Sequence, residues 1–316
     1  MKSGYNGALF TRNFMKAGPE VQDIIRNKVK GRSLRLGGTD SQFIHNVDNG
    51  EWFDWQECED WGQKKYEGLY GNHARQFNAL ELEPSTLIFC ANVTTDTVQN
   101  QINAIQILKS QNNIIVELGN EPYYLKNKGK KFGVAVYYDK IMRFVEYLNA
   151  YDIPYSVCIR NTKYNDFAHQ LFQLESKIGN TFYSTPMYFS PFALEESMTE
   201  HAGFMNWYEK ETNKKLIICE WDIKYPFIGN AFRVDGALQY HYPHPKADNY
   251  DNKLLTHQFF TTWIADNFPA VEGFMRTCEY RDSIAYYMEH NLLGGGDHHI
   301  VHWKKGEWGR DNIGAT

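Results

Sequence analysis

A (β/α)8 TIM barrel, with long loops after strands 2 and 7 and no complete C-terminal β-sandwich, is the fold class this sequence predicts. Three observations carry it. Strand-like apolar runs alternate with amphipathic helical stretches through most of the chain. Two glutamates, Glu121 and Glu220, leave two of those runs 99 positions apart, against about 94 for three βα units of roughly 31 residues each. Where the spacing exceeds whole units, the surplus segments are rich in aromatic residues.

The strand candidates are Gly7–Thr11, Ser33–Gly37, Thr86–Ala91, Ile114–Leu118, Tyr155–Ile159, Thr181–Tyr188, Leu216–Cys219 and Val271–Cys278. Most are apolar and rich in β-branched residues, the pattern of strands buried on both faces. Helical periodicity falls on Thr97–Ser110, Val134–Tyr151, Asp166–Gly179, Met198–Thr212 and Lys253–Phe268. The last segment, Tyr286–Thr316, carries Gly294-Gly-Gly296 and reads as no clear eighth helix. No low-complexity tract or linker divides the chain, so residues 1–316 are expected to form a single catalytic barrel domain.

The same ruler locates the long loops. Gly38 to Glu121 spans 83 residues and Glu220 to Thr277 spans 57, where two units need about 62 and one needs about 31. The first surplus holds Trp52, Trp55, Trp61, Tyr66 and Tyr70, and the second holds Trp221, Tyr225, Phe227, Tyr240 and Tyr242. Loops after barrel strands lie on the face where this fold builds its active site. Aromatic walls there suit stacking on sugar rings, with a rich core as the plainer reading.

Composition excludes several classes of function. Hydrophobic content of 42% and charged content of 22% fit a soluble globular protein. No apolar run approaches the roughly 20 residues of a membrane helix. The start, Met1-Lys-Ser-Gly-Tyr-Asn, lacks the basic and apolar segments of a signal peptide. A cytoplasmic protein, or a secreted or periplasmic one with its leader removed, is expected, with no membrane partner. Net charge is −5 and the basic residues are interspersed with acidic ones, so no nucleic-acid partner is expected. Lys126–Lys131 is the one basic cluster, a solvated loop or a contact for an anionic polymer. Cys90, Cys158, Cys219 and Cys278 sit inside apolar runs without any CxxC spacing, as small core residues do. His298-His299 lacks a third ligand at a defined spacing, so no metal and no cofactor are expected.

The chemistry rests on the two glutamates. Ile114-Ile-Val-Glu-Leu runs into Gly-Asn-Glu-Pro122, and Leu216-Ile-Ile-Cys runs into Glu220, so both carboxylates should reach one face of the barrel. Two carboxylates flanking a glycosidic bond are the usual equipment for hydrolysing it. Glu121 is expected to be the acid/base, with a raised pKa, and Glu220 the nucleophile. Asn120 is placed to hydrogen-bond the sugar 2-OH. The plainer reading of Gly-Asn-Glu-Pro, a simple turn, fits Glu121 taken alone; the pair at matched spacing favours function.

Glu117-Leu-Gly-Asn-Glu-Pro122 resembles the acid/base motif of the clan A retaining glycoside hydrolases, and most of all the heparanase and β-glucuronidase family, glycoside hydrolase family 79. Ser33-Leu-Arg-Leu-Gly-Gly-Thr39 is similar to that family's second-strand Leu-Arg-Phe-Gly-Gly-Thr, and Gly273-Phe-Met275 to its eighth-strand segment. Asn6-Gly-Ala-Leu-Phe-Thr11 is similar to its first strand, with Asn6 where the family carries an Asp. The resemblance implies a retaining glycosidase acting on a poly- or oligosaccharide, with an anionic, uronic or sulfated, glycan among the candidates. Two departures stand against the uronate reading and the full family architecture. Glu220 is followed by Trp-Asp-Ile-Lys-Tyr-Pro in place of a Gly-rich uronate-binding stretch, and the chain ends too early for the family's β-sandwich.

Further substrate-contact candidates follow from position. Tyr188 ends the sixth strand, where it could hydrogen-bond the nucleophile or serve the core. Arg35 could orient Glu220 or form a structural ion pair. Gly38, Thr39, Asp40 and His45 follow the second strand; Tyr123 follows the acid/base motif; Trp221 adjoins the nucleophile. Arg276 and Glu279 leave the eighth strand, where they would set the charge preference. Two other classes remain open: a catalytically inactive carbohydrate-binding barrel that kept the aromatics, and a metal-dependent barrel hydrolase, for which the strands lack a His-x-His signature.

Overall fold

The computed structural model describes residues 2–6, 19–36, 44–46, 51–53, 73–93, 97–124, 126–127, 130–131, 133–162, 165–189, 194–223, 232–234, 237–239 and 262–276. Eight strands pair in parallel and close into a barrel: β1 (Lys2–Asn6), β2 (Ser33–Leu36), β3 (Thr86–Ala91), β4 (Ile114–Leu118), β5 (Tyr155–Cys158), β6 (Phe182–Phe189), β7 (Lys215–Ile223) and β8 (Val271–Arg276). Each pairs with its sequence neighbour, and β1 closes the ring against β8 with Lys2 opposite Gly273 and Tyr5 opposite Arg276. The predicted barrel is therefore the observed one. Among the described residues, no helix is long and apolar enough to cross a membrane.

Three expectations change. The seventh strand runs Lys215–Ile223, past the expected end at Cys219, so Glu220 lies within the strand and not beyond it. The first barrel strand is Lys2–Asn6, upstream of the expected Gly7–Thr11, which lies outside the described residues. The expected helix over Asp166–Gly179 is two helices, Asp166–Gln173 and Glu175–Ile178, meeting at Leu174; Gly179 closes the second in the left-handed conformation, φ 70°. The long connections after β2 and β7 hold two short antiparallel hairpins, Ile44–Asn46 with Glu51–Phe53 and Phe232–Val234 with Ala237–Gln239. A third hairpin, Lys126–Asn127 with Lys130–Lys131, contains the basic cluster.

Side-chain alternation separates the inside of the barrel from the helical layer. Ile88 and Ile217 pack with Ile115 and Phe182 as a small cluster of their own. Their strand neighbours Leu87, Phe89, Val116, Tyr183, Leu216 and Ile218 belong to the large core shared with helices such as Val134–Ala150, which buries Tyr137, Ile141, Phe144 and Leu148. Continuing the inward positions by two residues gives Cys90, Glu117, Ser184 and Cys219. A polar layer thus sits above an apolar one.

The exit of β4 is held tightly. The Tyr137 hydroxyl, on the helix after β4, donates to the Leu118 carbonyl. Gly119 then turns at φ 88°, and a Cβ there would meet Val93 Cγ2 at 2.8 Å. Gly119→Ala is expected to destabilise the protein by about 1–3 kcal/mol, because it adds left-handed strain to an overpacked contact. A lowered urea midpoint at unchanged m-value is the measurement that checks it.

Candidate active site

Arg35 is the centre of the candidate site. It lies on β2, and its side chain is fully buried at the inward position. Nε donates to Glu117 Oε2 at 2.6 Å, one terminal nitrogen to Glu220 Oε1 at 2.8 Å, and the other to Asn120 Oδ1 at 2.9 Å. Glu117, also fully buried, receives a second bond from Ser184 Oγ at 2.8 Å. One guanidinium therefore ties together the ends of β2 and β4, the bulged part of β7 and, through Ser184, β6. Burial pulls the Arg35 pKa down, but the negative charges of Glu117 and Glu220 outweigh it and hold it well above the usual arginine value. Arg35 is therefore a cation at neutral pH.

Glu220 reaches this cation because β7 is irregular. By strict alternation it would share the outward face of Leu216 and Ile218. Against β6, however, Ile218 pairs with Thr185 and Glu220 pairs with Pro186, so Cys219 is an extra residue, and the register against β8 shifts over the same stretch. Such a bulge re-aims the side chain that follows it. Glu220 keeps 8% of its surface exposed, whereas Glu117 keeps none.

Glu121 sits one residue beyond Asn120 in the left-handed region at φ 43°, a conformation disfavoured for any residue with a Cβ. Its carboxylate is partly exposed and accepts a bond from the Tyr123 hydroxyl at 3.1 Å. Tyr123 in turn packs edge-on against Phe167, which also packs against Tyr137. The amide of Asn120 is oriented by Arg35: with Oδ1 accepting from the guanidinium, the –NH2 group is left as the donor.

The other candidates are placed less fully. Asn6 lies in register with Arg35 on the adjacent strand. Tyr188 lies opposite Asp222, and Trp221 lies between Met187 and Arg276 in the ladder, which puts the backbones of Tyr188, Trp221 and Arg276 at neighbouring rim positions. His45 pairs with Trp52 in the first hairpin. Gly38, Thr39, Asp40, Glu279, His298 and His299 lie outside the described residues.

Glu117 is a site residue that the sequence reading passed over as part of a motif. Its signal was present: a single acid at an inward position of the apolar run Ile114–Leu118, matched by a single base at an inward position of Ser33–Leu36. Among the described residues, a Glu117 oxygen and the sulfurs of Cys158 and Cys219 also lie within 4.8 Å of one another. Both Glu117 oxygens are already engaged, by Arg35 and Ser184, and the adjacent cation opposes a second one. Burial and the neighbouring Cys158 and Glu117 push the Cys219 thiol pKa well up, so it stays protonated at neutral pH. The arrangement is a packed thiol layer around an ion pair.

Arg35→Met is expected to cost about 3–5 kcal/mol, because it leaves a buried carboxylate without its cation. Arg35→Lys, which keeps the charge but cannot span three acceptors, is expected to fall between the two. Urea denaturation of the three proteins reads the order directly.

No protein-family model matches the chain, and no curated protein matches it. Among solved structures it is similar to glycoside hydrolases. One is the GH53 catalytic domain of Ignisphaera aggregans, at 11% identity and TM-score 0.50, covering 87% of this chain and 84% of that one. Others are a GH128 (subgroup V) exo-beta-1,3-glucanase from Cryptococcus neoformans, at 11% identity, TM-score 0.48 and coverage of 94% and 91%, and the catalytic domain of GH30 xylanase C from Talaromyces cellulolyticus, at 12%, 0.43, 87% and 67%. At these identities the likeness to the GH53 domain shows the barrel fold and assigns no residue a role.

Proposed function

We propose that the protein is a retaining glycoside hydrolase of the clan A type, with Glu220 as nucleophile and Glu121 as acid/base. The observation that carries the reading is the Arg35 fork, which holds Glu220 of β7 and Asn120 just beyond β4 on one cation. A fixed guanidinium pre-orients a carboxylate for attack and removes the need to reorganise it during reaction. Glu121 is partly exposed and accepts a bond from the Tyr123 hydroxyl, a setting suited to a group that must exchange a proton twice.

In the first step a Glu220 oxygen attacks the anomeric carbon and forms an ester bond. The glycosidic carbon–oxygen bond breaks, its electron pair stays on the leaving oxygen, and that oxygen takes the proton of Glu121. In the second step water attacks the same carbon, Glu121 takes the water's proton, and the ester bond breaks to regenerate the Glu220 carboxylate. The Asn120 –NH2 donates to the sugar 2-OH, a bond that strengthens as positive charge develops on the ring. Aromatic residues of the long loops after β2 and β7 favour an extended carbohydrate substrate. An anionic glycan, and membership of family 79, rest on the resemblance of the second-strand and acid/base motifs; the Lys126–Lys131 hairpin is where such a substrate would find positive charge.

Digestion of a panel containing xylan, β-glucans, galactan and heparan sulfate tests the reading. Wild type is expected to release product whose anomeric configuration, followed by NMR, is retained. Glu220→Gln should lose roughly 10⁴-fold or more in kcat. Glu121→Gln should lose roughly 10²–10⁴-fold, and less on substrates whose leaving group needs no proton. Inverted product, or turnover surviving in Glu220→Gln, would overturn it.

A further inference from the structure

We infer that Glu117 is a positioning residue for this reaction: it anchors Arg35 from below and takes up part of its charge, so setting how strongly the guanidinium holds Glu220. The inference deepens the proposed function and rests on Glu220 being the nucleophile.

The geometry shows a cation divided between two carboxylates that differ in what surrounds them. Glu117 is fully buried, has both oxygens bonded, by Arg35 Nε at 2.6 Å and Ser184 Oγ at 2.8 Å, and sits one residue before the strand end. It has no access to a substrate. Glu220 takes the other side of the same guanidinium at 2.8 Å and keeps some exposure. A lone arginine on Glu220 would localise the carboxylate's charge and make it a weaker nucleophile. With Glu117 drawing on the same cation, Glu220 is oriented without being fully neutralised. When Glu220 becomes an ester its charge is lost, and Arg35 is left in a balanced pair with Glu117, so the covalent intermediate leaves no stranded buried cation. The titratable and charged groups facing this pair include Cys90 from β3, Cys158 from β5, Cys219 and Glu220 from β7, and Tyr137 from the helix after β4. Burial raises Cys219 and Tyr137, which remain neutral. Glu117 is thus the fixed counter-charge.

The test compares the full chain as wild type, Glu117→Gln and Glu117→Asp. The substrate is whichever dinitrophenyl glycoside (glucoside, xyloside, galactoside or glucuronide) the wild type turns over. Glutamine keeps an acceptor for Arg35 Nε, and the Ser184 hydroxyl can rotate to accept from its amide. Two readouts are used: the acidic limb of the kcat/KM profile, and the rate at which a fluorinated mechanism-based inactivator adds to the enzyme, followed by intact mass. With the counter-charge removed, Glu117→Gln should form the adduct roughly tenfold or more slowly and move the acidic limb to lower pH by roughly 1 unit. Glu117→Asp should restore the limb.

A limb that stays in place or moves upward in Glu117→Gln overturns the inference while leaving the glycosidase reading intact. A wild type that neither turns over any glycoside nor forms the adduct overturns the glycosidase reading and this inference together. Should Glu117→Gln not fold, Ser184→Ala supplies the answer. Loss of the hydroxyl concentrates the Glu117 charge, draws Arg35 away from Glu220 and should move the limb upward; an unmoved limb there also overturns the inference.

Discussion

Everything at the mouth of this barrel depends on one buried cation being fully satisfied. A guanidinium without exposure has lost its hydration, and that loss is tolerable only if its N–H groups meet acceptors in good geometry. Arg35 meets three, on Glu117, Glu220 and Asn120. Those acceptors come from two strands, so their ends have no freedom to drift relative to β2. The ion pair is a poor source of net stability compared with apolar packing, yet it is an effective way of fixing which groups meet. That is the property a reaction centre needs, since its donors must be in place before charge develops.

The turn beyond β4 shows the same trade. Gly119 at φ 88° and Glu121 at φ 43° both occupy left-handed backbone, with Asn120 between them and Pro122 starting a single 3-10 turn. A strand that simply ended would not need this. The strain is held by the Tyr137 hydroxyl on the Leu118 carbonyl and by the Tyr123–Phe167–Tyr137 aromatic group. What the conformation achieves is a change of direction within two residues: Asn120 turns inward to Arg35 while Glu121 turns to Tyr123. Strain of this kind persists where surrounding packing over-determines it, and it concentrates at functional sites.

Much of this was readable from the chain, for reasons that differ by element. Thr86–Ala91 and Ile114–Leu118 were predicted to the residue, because a strand buried on both faces must be apolar throughout and its ends are marked by polar residues or glycine. The first strand lies upstream of the expected Gly7–Thr11 because Lys2-Ser-Gly-Tyr-Asn is too polar to read as a buried strand, and only pairing with β2 and β8 selects it. Leu174 divides a helix whose periodicity runs on across it. The contact between Arg35 and Glu220 was anticipated as chemistry, but its geometric cause was invisible: a bulge at Cys219 exists only relative to the neighbouring strands, and alternation alone sends Glu220 outward. Glu117 was overlooked because an acid in a strand is conspicuous only when its partner, 82 positions away, is considered with it.

The residues around the ion pair are as informative as the pair. Cys90, Cys158 and Cys219 are buried beside Arg35 and Glu117 where a barrel interior is more often filled by branched aliphatic side chains. A thiol is small enough to leave room for an arginine to cross the barrel from β2 to β4 and β7, and polarizable enough to sit against a charge without competing for it. Burial keeps the Cys219 thiol protonated, so the layer adds no titrating charge of its own near neutral pH. A water-filled layer would have screened Arg35, and an aliphatic one would have crowded it. With thiols alongside and the Ile88, Ile217, Ile115 and Phe182 layer beneath, the field of the guanidinium is delivered to the two carboxylates that the strands hold against it.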